Sequence, residues 1–297
     1  VTAAIETEAL TKYYGAVRGI EDVTISVQPG EVFGFLGPNG AGKTTTIRTL
    51  LDLLHPTRGR ARIFGLDSRR DSVAIRARLG NLPGDFGYGK MATGREALSL
   101  LARLRGVEGL GRAEQLAGRF RADLDRPFGK LSRGNRQKVG LIMALFHAPE
   151  LLILDEPTSG LDPLMQEEFL ALLQEERGSG CAVFLSSHEL DEVERVCDRV
   201  GIIRDGRVIA VERVDDLLHQ TRRRVSVEFA EPVDPEELRA IPGVSDFAQA
   251  DGRVTFQVAG DIDPVVKAIA RHAVTELELA HPTLEEVFLT YYEEPGV

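Results

Sequence analysis

Short unbroken apolar runs mark the first two thirds of the chain. Val32–Leu36, Leu151–Leu154 and Ala182–Leu185 are each four or five residues long and bounded by glycine or polar residues, as buried strands are. Longer stretches between them carry the helical period. Lys43–Leu54 places Ile47, Leu50, Leu51 and Leu54 on one face, and the segment from about Ser72 to His147 repeats the spacing at Leu98, Leu101 and Leu104. After Leu218 the pattern changes. Val225–Phe229 alternates apolar and polar residues like a half-buried strand, Pro235–Ala240 reads as a short helix, and Phe247 and Val254–Val258 as two more strands. Pro264–His272 is helical in pattern, Thr275–Leu279 a strand and Thr283–Tyr292 a last helix, with Thr283 and Glu286 spaced as a capping box. The order βαββαβ plus a helix is ferredoxin-like. The expected fold is therefore α/β in two domains: residues 1–218, with a helical subdomain at about 84–147, and a small α+β, ferredoxin-like domain at 219–297.

A length of 297 residues agrees with two domains. No apolar stretch approaches the roughly 18–20 residues of a membrane helix, because the nearest, Val139–Leu154, is cut by His147, Pro149 and Glu150. No cationic leader with an apolar core precedes the first strand, so export of the chain is not expected. The net charge of −10 argues against nucleic acid as a main partner, and Arg222-Arg223-Arg224, the one dense basic run, reads as a solvated linker or strand edge. Cys181 and Cys197 form neither a metal pattern nor a disulfide framework, which fits a reducing, cytosolic setting.

Chemistry enters at the segment Gly37, Pro38, Asn39, Gly40, Ala41, Gly42, Lys43, Thr44 and Thr45. It lies between a strand and a helix, the context that G-x-x-x-x-G-K-[ST] requires. Such a loop turns backbone N–H groups and a helix start toward phosphate. Lys43 supplies a point charge for the β- and γ-phosphates, and Thr44 a hydroxyl for Mg²⁺. A nucleoside triphosphate is the expected ligand.

Two carboxylates, Asp155 and Glu156, emerge from the end of the run Leu151–Leu154, at the strand edge where open α/β sheets bind ligands. Asp155 is placed to hold Mg²⁺, and Glu156 to act as base for the attacking water. His188 follows the next apolar strand and Ser186-Ser187, in reach of a γ-phosphate oxygen. Ser132 and Gly134, in Leu131-Ser132-Arg133-Gly134-Asn135, open a helix running through Ala144 and make a second anion site. One triphosphate hardly needs two, so this one is expected to serve a neighbour's nucleotide.

Over about residues 5–215 the sequence resembles the ATP-binding cassette (ABC) ATPases, the motor subunits of ABC transporters. Six motifs occur in order. Tyr14 matches the aromatic that stacks on adenine, Gly37–Thr45 the Walker A loop, and Leu131–Asn135 the signature. Asp155 and Glu156 match the Walker B pair, Ser159-Gly160-Leu161-Asp162 the D-loop and His188 the switch histidine. The resemblance implies a P-loop ABC ATPase core that binds ATP and Mg²⁺ and hydrolyses ATP. Its two copies, or a copy and a paralogous cassette, would pair head to tail, with Ser132, Gly134 and Asp162 completing the neighbour's site. It also implies a separate transmembrane permease and a cytoplasmic location, peripheral on the inner face of the cell membrane.

The sequence departs from that pattern twice. Arg133 and Asn135 replace the usual glycine and glutamine of the signature, while Ser132 and Gly134 are kept. Gly84, in Leu82-Pro83-Gly84-Asp85, stands where the family has its Q-loop glutamine, leaving Asp85 or a water as the substitute. The "LPGD" form and the small C-terminal domain resemble the ABC-2 type exporter ATPases. Tyr88 and Met91 would lie in the loop that approaches the permease, with core or surface packing as the alternative reading. Two alternatives stand beside the exporter motor: a soluble ABC ATPase acting on ribosomes or DNA, and a regulatory cassette of weak turnover.

Overall fold

The structure, a computed structural model, describes residues 2–84, 92–220, 223–231, 233–250, 252–280, 283–285, 288 and 291. Asp85, Tyr88, Met91, Arg222, Glu286 and Tyr292, each given a place by the sequence reading, lie outside the described residues. The chain divides into two compact units, Val1–Glu212 and Arg213–Val297. The division falls before 218 because the helix Val214–Gln220, with Val214 and Leu217 buried, groups with the second unit.

The first unit begins with strands β1 (Ile5–Tyr14), β2 (Val17–Val23), β3 (Ser26–Val27) and β4 (Val32–Leu36), then helix α1 (Lys43–Leu50). Next come β5 (Arg58–Ile63), β6 (Leu66–Asp67), α2 (Ser72–Arg78) and β7 (Leu79–Leu82). Three helices follow, α3 (Gly94–Arg105), α4 (Gly111–Phe120) and α5 (Arg133–Leu145). The unit closes with β8 (Leu151–Asp155), α6 (Pro163–Gly178), β9 (Ala182–Ser187), α7 (Leu190–Val196), β10 (Arg199–Arg204) and β11 (Arg207–Arg213).

One sheet runs β11-β10-β4-β9-β8-β7, and its pairs from β10 through β7 are parallel. The other, β2-β1-β5-β6, has antiparallel pairs throughout, with β3 also on β1. Alternation along the parallel strands explains the packing. Phe33, Phe35, Ile153 and Phe184 join Leu10, Ile20 and Ile63 of the antiparallel sheet and Ile47 of α1 in a single core. The Phe33 and Phe184 rings stack there at 5.8 Å between centroids, 10° apart in plane. Parallel order also sends the carboxyl ends of β4, β8 and β9 to one edge, where ligands of such sheets bind.

Two helical expectations change. The helix after the glycine loop ends at Leu50, not Leu54, because Asp52 takes a left-handed φ of 56° and the N–H groups of Leu53 and Leu54 both turn back to the Arg48 carbonyl. In α3 Leu98 is buried but Leu104 is exposed, since a spacing of three drifts off the buried face of a helix with 3.6 residues per turn. No helix among the described residues is long and apolar enough to cross a membrane.

The second unit runs α8 (Val214–Gln220), β12 (Arg223–Phe229), α9 (Pro235–Arg239), β13 (Val244–Ala250), β14 (Arg253–Val258), α10 (Asp263–Ile269) and β15 (Val274–Ala280). Its antiparallel sheet, ordered β13-β14-β12-β15, with the βαββαβ connection is the ferredoxin-like arrangement expected. Val225, Val227, Val254, Phe256 and Val258 point to the core with Leu238 and Ile269 of the helices.

Candidate functional site

The glycine loop leaves β4 at Leu36 and enters α1 at Lys43. Gly42 is the N-cap of α1 with φ 112°, and a Cβ there would lie 2.8 Å from Ile20 Cγ2 and 3.0 Å from the Gly19 carbonyl oxygen, so only glycine fits. Ala41 is buried beneath the loop. Its N–H donates to the Pro38 carbonyl at 3.1 Å, and its carbonyl accepts from the Gly206 N–H at 2.9 Å. Lys43 is 5% exposed, and its Nζ donates to the Gly37 carbonyl at 2.6 Å and the Pro38 carbonyl at 3.3 Å. Burial pulls the Lys43 pKa below the usual lysine range, while the charges of Glu156 and Asp155 act the other way.

Sheet register brings the acids to this loop. Asp155 pairs with Ser186 across β8 and β9, and Leu36 with Ser187 across β4 and β9. Asp155 is buried and accepts from Thr44 Oγ1 at 2.8 Å and from Ser186 Oγ at 2.5 Å. Glu156 follows with a left-handed φ of 50°. Its Oε1 stands 3.8 Å from Lys43 Nζ and 3.3 Å from His188 Nδ1. A cavity of about 310 Å³ spans Tyr14, Pro38, Asn39, Gly40, Gly42, Lys43, Thr44, Thr45 and Glu156. A smaller one, about 140 Å³, lies against His188, Ser159 and Gly160, and Glu156 lines both. Tyr14 is half exposed at the end of β1, opposite Val17 in the hairpin, with Lys12 Nζ 5.5 Å from its ring centroid.

Ser132, Gly134 and Asp162 do not line the larger cavity. Ser132 is the N-cap of α5, its hydroxyl accepting from the Asn135 N–H at 3.2 Å. Asp162 caps α6 through the Met165 N–H at 3.1 Å and stands 3.7 Å from Lys138 Nζ. Gly84 lies against the Walker-type acid: a Cβ built on it would meet Asp155 Oδ2 at 3.1 Å. A side chain at 84 would therefore point at this carboxylate.

Oxygen donors suit Mg²⁺, which takes one or two protein ligands and fills the rest with phosphate and water. Thr44 and Asp155 are such a pair, and among the described residues no cluster of three or more His, Cys, Asp or Glu side chains competes as a metal cage.

Several participants escape sequence reading. Val17, Arg18 and Gly19 line the larger cavity, and their signal is only their place on the hairpin strand after Tyr14. Ser186 and Gln137 contact the acids from other elements, and nothing local in the sequence marks them. Cys181 and Cys197 are free and buried, and burial pushes the Cys181 thiol up to about 12.

A phosphate-type loop facing paired carboxylates across a parallel sheet defines a P-loop nucleotide-binding ATPase. Family comparison narrows the class. The chain belongs to the ABC transporter family of ATP-binding proteins: residues 20–159 match that family, and residues 214–292 match the "ATP-binding protein DrrA1-3-like, C-terminal domain". It is 31% identical to the bacitracin transport ATP-binding protein BcrA of Enterococcus faecalis, over 96% of this chain and 94% of that one. It is 32% identical to the daunorubicin/doxorubicin resistance ATP-binding protein DrrA of Streptomyces peucetius, over 99% and 94%. Among solved structures, an ATP-binding subunit of an ABC transporter superposes with a TM-score of 0.66 at 34% identity, over 73% of this chain and 92% of that one. The ADP- and Pi-bound cassette MJ0796, at 21% identity, shares the fold with a TM-score of 0.65 over 71% and 98%. The resemblance to the ABC ATPases thus holds, and the chain is an ABC ATPase.

Proposed function

We propose that this chain is the ATP-hydrolysing motor of an exporter whose membrane-spanning permease is a separate polypeptide. The observation that carries the reading is the bond from Thr44 Oγ1 to Asp155 Oδ2 at 2.8 Å. It joins the phosphate loop's helix to β8 at the point where Glu156 meets both Lys43 and His188. Thr44 and Asp155 would hold Mg²⁺, which, when bound, neutralises charge on the β- and γ-phosphates. Loop N–H groups between Asn39 and Thr45, other than that of Ala41, cradle the phosphates and Lys43 adds its charge, while Tyr14 offers a stacking face for adenine. Glu156 accepts a proton from the attacking water, and His188 positions that water and the γ-phosphate.

Two copies, or one copy and a paralogous cassette, pair head to tail. Ser132 and Gly134 at the start of α5, with the D-loop residue Asp162, then face the neighbour's nucleotide. The γ-phosphate holds the pair together and its loss releases them, so hydrolysis becomes a movement that a membrane partner can use. The names of BcrA and DrrA, transport of bacitracin and resistance to daunorubicin, support the exporter class and a place on the inner face of the cell membrane. The acidic net charge disfavours nucleic acid.

The test is Glu156→Gln. Turnover should fall about 10²–10⁴-fold, the range of a positioned base, while ATP still binds and drives pairing seen by size-exclusion chromatography with light scattering. Wild-type turnover in that variant would remove Glu156 from the mechanism, and a lone protomer at saturating ATP would remove the head-to-tail site.

A further inference from the structure

Glu156 sits in a backbone conformation that non-glycine residues rarely adopt, so the surrounding structure must hold it there. From the β9 side its N–H donates to Ser186, at 3.1 Å to the carbonyl and 3.3 Å to Oγ. From the other side the hold comes from α5. Gln137 Nε2 donates to the carbonyls of Glu156 at 3.2 Å and Pro157 at 2.8 Å. Four residues earlier, on the same face of the helix, Arg133 Nη2 donates to Ser159 Oγ at 2.6 Å. The helix and the turn also touch through their backbones. A Cβ on Gly134 would lie 2.6 Å from the Gly160 carbonyl oxygen, and one on Gly160 would lie 3.1 Å from Arg133 Cγ. Thr158, between them, donates to Glu192 Oε2 of α7 at 2.8 Å.

The segment 156–160 is therefore fastened to α5 at both ends. The helix itself is well anchored, since Val139–Leu145 are all buried. Ser132 and Gly134 lie at its N-terminal end. A push on that end travels along a rigid helix and reaches the turn through two side-chain links, Gln137 to the carbonyls of Glu156 and Pro157 and Arg133 to the Ser159 hydroxyl. One of them, Arg133, is the residue by which this signature departs from the family's glycine.

We propose that Gln137 and Arg133 are positioning residues that couple the start of α5 to Glu156, so that the carboxylate reaches its working position only when Ser132 and Gly134 have engaged a nucleotide. The proposal rests on the head-to-tail reading above. Neither side chain touches the nucleotide bound by its own loop: both act through the turn.

The full-length chain serves for the test, with Mg·ATP turnover followed against ATP concentration and affinity measured with a fluorescent ATP analogue. Gln137→Met keeps length and volume and deletes the donor. Its kcat should fall about 10–100-fold with KM and Kd within about twofold, because a displacement of under an ångström at a reacting group is costly while binding is untouched. Arg133→Gly, at an exposed position that a fold tolerates, should lower kcat and bring the Hill coefficient toward 1, and Arg133→Lys should restore part of both. Should Gln137→Met not fold, the Arg133 pair carries the test alone. Turnover and cooperativity of wild-type size in Arg133→Gly overturn the proposal, as does a Gln137→Met protein whose only change is in KM. The failures read apart: absence of ATP-driven pairing in Glu156→Gln refutes the head-to-tail site, whereas variants that pair and turn over like wild type refute the coupling.

Discussion

Ser186→Ala removes the hydroxyl that bonds Asp155 at the centre of the site, while the Glu156 N–H, 3.3 Å from the same oxygen, keeps its bond to the Ser186 carbonyl at 3.1 Å. Ser186 is fully buried and Asp155 is 3% exposed, and among the described residues the serine hydroxyl gives the carboxylate one of its two side-chain donors, Thr44 giving the other. Removing the hydroxyl leaves a largely buried anion short of a donor. Hydrogen bonds to charged groups contribute about 1.5–3 kcal/mol, so the variant should lose that much stability. For a unit of this size each kcal/mol is worth about 2–4 °C, which places the fall in melting temperature at roughly 3–12 °C. The loss should shrink in Mg·ATP, because a cation at Asp155 supplies the compensation the serine gave. The melting shift caused by Mg·ATP should therefore be larger in Ser186→Ala than in wild type, whereas ATP with a chelator should shift both alike. The upper bound on the gain in cation affinity is the same free energy, about 10–100-fold. Differential scanning fluorimetry of both proteins under the three conditions measures this. An unchanged melting temperature would refute the argument that this bond holds the buried carboxylate. Equal shifts in Mg·ATP would refute the assignment of the cation to Asp155.

Two further outcomes follow from other parts of the first unit. Tyr14→Ala should weaken ATP binding by about 1 kcal/mol, roughly fivefold in Kd, through loss of ring stacking. Titration with a fluorescent ATP analogue reads it, and unchanged affinity would place adenine elsewhere. His147, just beyond α5, donates from Nε2 to the Leu79 carbonyl at 3.2 Å while its Nδ1 is buried with no partner among the described residues. Burial first, and then Arg105, lower its pKa from 6.5 to about 4. The folded state thus refuses a proton that the unfolded chain accepts, so the stability this group contributes is whole above pH 6.5 and drains away as pH falls toward 4. By pH 5 the loss is on the order of 2 kcal/mol. Urea melts at pH 7.5 and 5.0 should show His147→Leu less acid-sensitive than wild type by that amount, and parallel behaviour of the two would refute the assignment.

Under the coupling proposed above, Gln137 and Arg133 tie the start of α5 to the turn that follows Asp155. The glycine that Arg133 replaces has no side chain, so a guanidinium there adds a link to Ser159 that glycine cannot make. Gly84 takes the opposite course, giving up a side chain where one would point at Asp155. Both changes lie within one turn of the acids or of the helix that fastens them.

The sequence alone determined what neighbouring residues decide. Strand, glycine loop and helix at 32–50 are contiguous, and the φ values and spacing that make a phosphate loop are written within nine residues. The βαββαβ order of the second unit was legible for the same reason, since period-two and helical patterns alternate cleanly from Val225 to Leu279. Helix ends were less legible: Asp52 turned the chain out of α1 where the apolar spacing ran on to Leu54. Tertiary structure decided the rest of the site. Ser186 meets Asp155 across 31 residues because β8 and β9 are neighbours in that register, and Gln137 meets Glu156 across 19 because α5 packs beside the turn. A pattern along the chain encodes which face of an element is buried. Which element that face will meet, and which hydroxyl or amide will then satisfy a buried charge, is settled only when the elements pack.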